Sequence, residues 1–331
     1  MVKHSSRIYL KQSALKSNFN FLRRKVGDDT RISSVVKANA YGHGIETFVP
    51  MAEKCGISHF SVASAFEAEE VLNACSPKSK IMIMGILYEE DIPWAIEHEI
   101  EFYVFNYDKL EKACKAAKSI GKPAHLHIEV ETGANRTGMN AKEFSKTLTY
   151  LKKHKKHLVF EGLCTHFGGA ESLSNQFKID AQHKRYKEFL KECKAKKLLP
   201  KYRHIACSAA ALAMKDTVYD MVRIGVAQYG FWPSPDIYYL HLQEVDKKSD
   251  GNALKRIFNW KTDIMDIRHV NAGEFIGYGT AFQATQDMRI AVMPLGYSNW
   301  LSPSLVKSRS GTHRWQESTN SGPDQYEPLH G

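Results

Sequence analysis

The chain has 331 residues, 43% hydrophobic and 25% charged, enough apolar material for one large core or two ordinary ones and too much for a disordered polypeptide. No apolar run reaches the length of a membrane span, no signal-peptide core follows the N-terminal Met-Val-Lys-His-Ser-Ser, and six scattered cysteines lack CxxC spacing. A cytoplasmic protein with reduced thiols is expected, with no membrane segment, disulfide frame or metal site.

The formal net charge is +10, but the lysines gather at 109–118, 152–156 and 184–197. Those stretches read as solvated helix faces, so no nucleic-acid partner is expected. Residues 7–10 alternate as a short strand, and 12–26 place Leu15, Phe19, Leu22 and Val26 at helical spacing. Strand-like runs then recur at 32–36, 59–63, 81–84, 102–105, 124–130, 158–165, 202–207 and 221–227. Amphipathic segments such as 46–55, 65–75, 107–120 and 141–154 separate nearly all of them. About eight strands with crossover helices predict an α/β fold, a (β/α)8 TIM-type barrel. An open doubly wound sheet is the alternative, but no Gly-x-Gly-x-x-Gly follows the first strand.

The polar stretch 246–255 reads as a linker or surface loop. Beyond it, 257–270, 275–284 and 289–294 alternate as strands with no helical pattern between them. The expected organisation is a barrel over 12–240 and an incomplete, all-β C-terminal domain over 241–331 that takes in the first strand within 1–11.

In a barrel, chemistry gathers at the C-terminal ends of the strands. The first strand ends at Lys37, followed by a loop rich in glycine and small polar residues. Burying an ammonium is costly unless it is paired or discharged, and a desolvated lysine amine forms Schiff bases with carbonyls. The fifth strand leads into Glu129, and Gly133 and Gly138 bracket Arg136 in a turn where a planar guanidinium can hold an anion. The sixth ends at His166, able to stack on a planar ring or relay a proton. The seventh passes into a helix at Ser208, expected as its N-cap, where a helix N-terminus would favour a phosphate. The eighth carries Arg223 and Gly225, the latter open to close backbone approach by a phosphate. Each of these also has an ordinary structural use, and residue type alone does not decide between the two.

Residues 35–44, Val-Val-Lys-Ala-Asn-Ala-Tyr-Gly-His-Gly, resemble the cofactor-lysine signature of the alanine racemases. The turn Glu131-Thr-Gly-Ala-Asn-Arg136-Thr-Gly138 resembles that family's Asp-Thr-Gly-x-x-Arg-x-Gly, and Thr165-His166-Phe167 matches its Thr-His-Phe. The resemblance implies pyridoxal 5'-phosphate as a Schiff base on Lys37, with Tyr41, His166, Ser208, Arg223, Gly225 and Tyr229 at its phosphate or ring. Arg223 resembles the arginine that faces the pyridine nitrogen, which leaves that nitrogen unprotonated and favours brief carbanion formation over decarboxylation.

Interconversion of L- and D-alanine needs two bases. Lys37 would serve one face and Tyr278, reaching in from the partner subunit of a homodimer, the other, with Arg136 on the substrate side; the D-alanine would supply cell-wall peptidoglycan. Two positions depart from the pattern. Cys207 stands where asparagine usually precedes the serine, and Glu129 stands where many members place a carbamylated lysine, so Glu129 would supply that negative charge directly. A decarboxylase of the same barrel class and a non-catalytic cofactor carrier are the alternatives. Beyond about residue 303 the pattern stops: residues 304–331 show no strand period and read as an aberrant tail, as after a truncation or frameshift.

Overall fold

The computed structural model describes residues 4–244, 252–277, 280 and 282–299, together with the backbone strands Trp315–Glu317 and Gln325–Pro328. The expected Tyr278 and the stretch 245–251 lie outside the described residues. The chain divides into two compact units, one spanning Lys11–Ile257 and the other combining Met1–Leu10 with Phe258–Gly331.

In the larger unit eight parallel strands form one sheet: β2 (Arg31–Val35), β3 (His59–Ser64), β4 (Lys80–Ile86), β5 (Glu101–Val104), β6 (Ala124–Glu129), β7 (Leu158–Cys164), β8 (Tyr202–His204) and β9 (Met221–Ile224). They pair in chain order from β2 to β8, and β9 pairs with β2. Between β8 and β9, Arg223 N donates to Ala206 O at 3.0 Å and Asp220 N to Arg203 O at 3.1 Å. The Arg203 guanidinium grips the Asp220 carboxylate through two bonds of 2.7 Å. These contacts bring the two ends of the sheet together as a barrel, the expected architecture.

Local sequence sets the helices between the strands. Gln12–Val26 buries Leu15, Phe19, Leu22 and Val26 at helical spacing and ends at Gly27, with Arg23, Arg24 and Lys25 complementing the helix dipole in its last turn. Tyr107–Ile120 starts where Asn106 accepts from Lys109 N and stops at left-handed Gly121. Ala141–Lys153 begins with a reciprocal capping box between Asn140 and Glu143. Among the described residues no helix is long and apolar enough to cross a membrane.

The smaller unit is strand-rich. β1 (Ser6–Leu10) runs antiparallel to β10 (Phe258–Asp263), with Trp260 Nε1 donating to Ser6 Oγ at 2.6 Å. β11 (Asp266–Val270) pairs with β14 (Met288–Val292), and the short β12 (Phe275–Ile276) with β13 (Phe282–Gln283). The tail departs from expectation. β15 (Trp315–Glu317) and β16 (Gln325–Pro328) pair with each other, and β16 also pairs with β10. Strands of three and four residues are too short to show a period-two pattern in the sequence.

Candidate active site

The C-terminal strand ends of the barrel open into a cavity of about 660 Å³, within the range of small-molecule and cofactor sites. Lys37, Tyr41, Glu129, Arg136, His166, Ser208, Arg223 and Gly225 all line it, although they come from five different strand ends. Tyr229, by contrast, does not line the cavity. It is buried behind Tyr41, with ring centroids 5.0 Å apart, and its hydroxyl donates to Val35 O at 3.2 Å.

Strand burial ends at Val36, and Lys37 itself is exposed at the cavity wall instead of desolvated as expected. The chain then makes a left-handed turn: Ala38, Asn39, Ala40 and Tyr41 have φ between +51° and +56°. For residues with a Cβ this conformation costs about 1–2 kcal/mol each, so the surroundings must hold it. Ala40 N donates to Val36 O at 2.8 Å, Gly42 N to Ala38 O at 2.9 Å, and Ile45 N to Asn39 Oδ1 at 2.8 Å. The strand below is pinned by fully buried Gln228, whose amide donates to Val35 O at 2.8 Å and accepts from Ser34 Oγ at 2.7 Å.

At one end of the cavity Ser208 Oγ accepts from Gly225 N at 3.0 Å. A Cβ on Gly225 would fall 2.6 Å from Tyr41 Oη, so this glycine leaves the room that the tyrosine hydroxyl occupies. Burial raises the Tyr41 phenol above its ordinary value, helped by nearby Cys207. Ser208 is not the N-cap expected from the sequence. Cys207 holds that position and stays extended because it bridges to Arg223 on the neighbouring strand, which leaves the Ser208 hydroxyl to serve Gly225.

Arg223 is 5% exposed, and strand-end carbonyls fix its guanidinium. It donates to Thr165 O and His204 O at 2.9 Å each, to Ile205 O at 3.3 Å and to His204 Nδ1 at 2.9 Å. His166 Nδ1 lies 3.5 Å from the same guanidinium. Burial, then the charges of Arg223, Arg136 and Lys37, push the His166 imidazole down to about 3. Arg136, also lining the cavity, is exposed in a turn where Gly133 and Gly138 have φ of +141° and +116°. Glu129 is 3% exposed, and burial raises its carboxyl against the opposing pull of Thr137, Arg223 and Arg136.

A buried relay below the cavity was not expected from the sequence. Glu101 accepts from His127 Nε2 at 2.8 Å and from His59 Nε2 at 3.2 Å; His127 Nδ1 meets His204 Nε2 at 2.8 Å, and His204 Nδ1 accepts from Arg223. Only one set of tautomers satisfies every link, with His127 and His204 each protonated on Nε2. All the dipoles therefore run one way, from the Arg223 cation to the Glu101 carboxylate. Burial opposes the Glu101 charge, but hydrogen bonds from His127 and His59 outweigh it and hold the carboxyl far below its ordinary range. Burial also lowers His59 and His204. The alternation His125, His127, Glu129 on one strand was the available signal; the partners on other strands were not.

Whether these residues suit pyridoxal 5'-phosphate is answered by the donor set. A primary amine for an aldehyde, two hydroxyls beside a backbone with no Cβ for a phosphate, and a buried guanidinium for a ring nitrogen share one cavity of fitting size.

Residues 10–233 match the family model described as alanine racemase, N-terminal domain, and residues 257–315 that of the alanine racemase C-terminal domain. The alanine racemase of Geobacillus kaustophilus is 33% identical over 289 residues, 87% of this chain and 71% of that protein. The solved alanine racemase of Clostridium difficile 630 superposes with a TM-score of 0.80 at 26% identity, covering 91% of this chain and 76% of that one. That of E. faecalis gives 0.79 at 28% identity, covering 90% and 77%. The chain belongs to the alanine racemase family.

Proposed function

We propose that this protein interconverts L-alanine and D-alanine with pyridoxal 5'-phosphate, supplying D-alanine for peptidoglycan. The observation that carries the proposal is the meeting of Lys37, Arg223 and the Tyr41, Ser208 and Gly225 group around one cavity. Lys37 would hold the cofactor aldehyde through its amine, Tyr41, Ser208 and Gly225 its phosphate, and Arg223 and His166 its ring. When bound, the cofactor supplies an electron-withdrawing ring that acidifies the substrate Cα–H.

Once the substrate amine displaced it from the cofactor aldehyde, the freed Lys37 amine would take and return the Cα proton on one face, and Tyr278 of the partner subunit would do so on the other. Arg136 orients the substrate carboxylate, with Glu129 giving the local negative charge that steadies the arginine. Arg223 cannot give up a proton at ordinary pH, so beside the ring nitrogen it would leave that nitrogen without a proton and favour return of the proton to Cα. A cytoplasmic location would suit the six free thiols.

The test is chiral chromatography of L-alanine incubated with the protein and pyridoxal phosphate. D-alanine should accumulate toward an equal mixture, and Lys37→Ala should abolish it. Mixing inactive Lys37→Ala and Tyr278→Phe chains should restore part of the activity, because a hybrid dimer holds one intact site. No D-alanine from the unaltered chain would overturn the assignment, and no complementation would overturn the shared site.

A further inference from the structure

The left-handed turn after Lys37 opens on a backbone donor that is satisfied from another element. Ala38 N, on the peptide directly following Lys37, donates to Glu67 Oε1 at 2.7 Å. The other carboxylate oxygen, Oε2, accepts from Ala63 N at 2.7 Å. Glu67 sits in the first turn of the helix Ala65–Ala74, whose N-cap Ser64 accepts from Glu67 N at 3.3 Å. A glutamate three residues past a serine cap commonly reaches back over the start of its own helix. Here the carboxylate reaches one residue further, past Ser64 to Ala63 in β3. The bond to Ala38 lies outside that habit altogether: Ala38 sits in the turn that follows β2, the neighbouring strand, and the bond serves no need of the helix.

We propose that Glu67 is a positioning residue for the cofactor lysine: one carboxylate clamps the ends of β2 and β3 and fixes the direction in which Lys37 leaves its strand. The inference rests on the assignment of Lys37 as the cofactor lysine. The chemistry suits the task. A carboxylate is acceptor-only and has two oxygens, so it can take two backbone N–H groups at once. An amide of the same shape has one oxygen and would present its own NH2 to the other N–H. The clamp also explains how four consecutive left-handed residues persist at this strand end, since the peptide that starts the turn is held from outside it.

Glu67→Gln separates this role from packing, because the two side chains are isosteric. Hydrogen exchange of the holoenzyme, read by mass spectrometry with residue resolution, should show at least tenfold faster exchange at Ala38. In the same variant kcat for L-alanine should fall at least tenfold while KM changes less than threefold. A Gln variant with unaltered exchange and kcat overturns the proposal. Should Glu67→Gln fail to fold, Glu67→Asp gives the second reading. It keeps the charge at the helix start but is one methylene short of spanning both strands, so Ala38 should lose protection while Ala63 keeps it. Protection at both positions in the Asp variant also overturns the clamp. The exchange measurement does not depend on turnover. An unaltered chain that made no D-alanine would sink the racemase assignment and leave the clamp still tested.

Discussion

Gln228 and Val35 are joined by an amide-to-carbonyl bond of 2.8 Å that ties the residues after the last barrel strand to the end of the first. Because Gln228 is wholly buried and also accepts from Ser34 Oγ, it fills a polar position that no apolar residue can replace without orphaning partners. Gln228→Leu keeps roughly the same volume but strands the Ser34 hydroxyl and takes from Val35 O the shorter of its bonds from Gln228 and Tyr229. A loss of about 1–3 kcal/mol is expected, read from urea unfolding. A loss below about 0.5 kcal/mol would be an ordinary surface-like effect and would contradict the pinning role.

Gly225→Ala should act on cofactor binding more than on folding. Its Cβ would lie 2.6 Å from Tyr41 Oη, and the hydroxyl at the end of a side chain can move where backbone cannot. The displaced Tyr41 would leave the end of the cavity proposed to take the phosphate. Affinity for pyridoxal phosphate, followed by fluorescence titration, should fall tenfold or more, and affinity for pyridoxal, which has no phosphate, should change little. Equal losses for both would place the phosphate elsewhere.

Gly162→Ala tests the buried relay. A Cβ there would come within 2.0 Å of His127 Nδ1 and 2.8 Å of His204 Nε2, the two atoms that bond each other. Neither ring can retreat in a packed barrel interior, so the cost should be on the order of 3 kcal/mol. A thermal or urea unfolding curve checks it. A near-neutral substitution would mean that the two rings are not held as described.

Stability should fall in acid earlier than carboxylates alone would require. His166, held down to about 3, stays neutral in the fold while the unfolded chain takes up its proton near the ordinary 6.5. Burial shifts His59 and His204 in the same direction. The stability these groups contribute is fully present above pH about 6.5 and is lost as pH falls toward their folded values. Each adds a slope of up to ~1.4 kcal/mol per pH unit within that window. Glu101, lowered, adds its own loss further down, below the ordinary carboxylate range near 4.5. Urea midpoints should therefore be flat from pH 8 to about 7 and drop steeply from about 6. A flat profile down to pH 5 would show that these histidines are not kept neutral.

Much of the barrel could be read along the chain because each of its strands and helices announces itself locally. The helix Gln12–Val26 has the same bounds in sequence and structure, since its apolar residues keep one period from end to end and Gly27 stops it. The left-handed turn after Lys37 was not legible. Ala38, Asn39, Ala40 and Tyr41 carry no glycine to signal positive φ, and the conformation exists only because Val36, Asn39 and Glu67 hold it. The Ser64-x-x-Glu67 spacing is visible as a helix start, but nothing in it points to Ala38. Ser208 was displaced by one position because the pairing of Cys207 with Arg223 is a contact between strands.

By itself the sequence determined the kinds of chemistry present: a lysine at the end of an apolar strand, arginines and a histidine at later strand ends, and a glycine beside the last of them. Those follow from short-range pattern, and the family signature rests on the same short stretches. Only the tertiary structure decided what those groups face. Arg223 gains its polarised chain to Glu101 through His204 and His127, whose bonded atoms belong to residues 77 positions apart. A barrel interior is where inward-pointing residues of non-adjacent strands meet, and in the absence of water each must find its hydrogen-bond partner there. The strand pattern gives inward and outward faces; which buried donor meets which acceptor is set by the register in which the sheet closes.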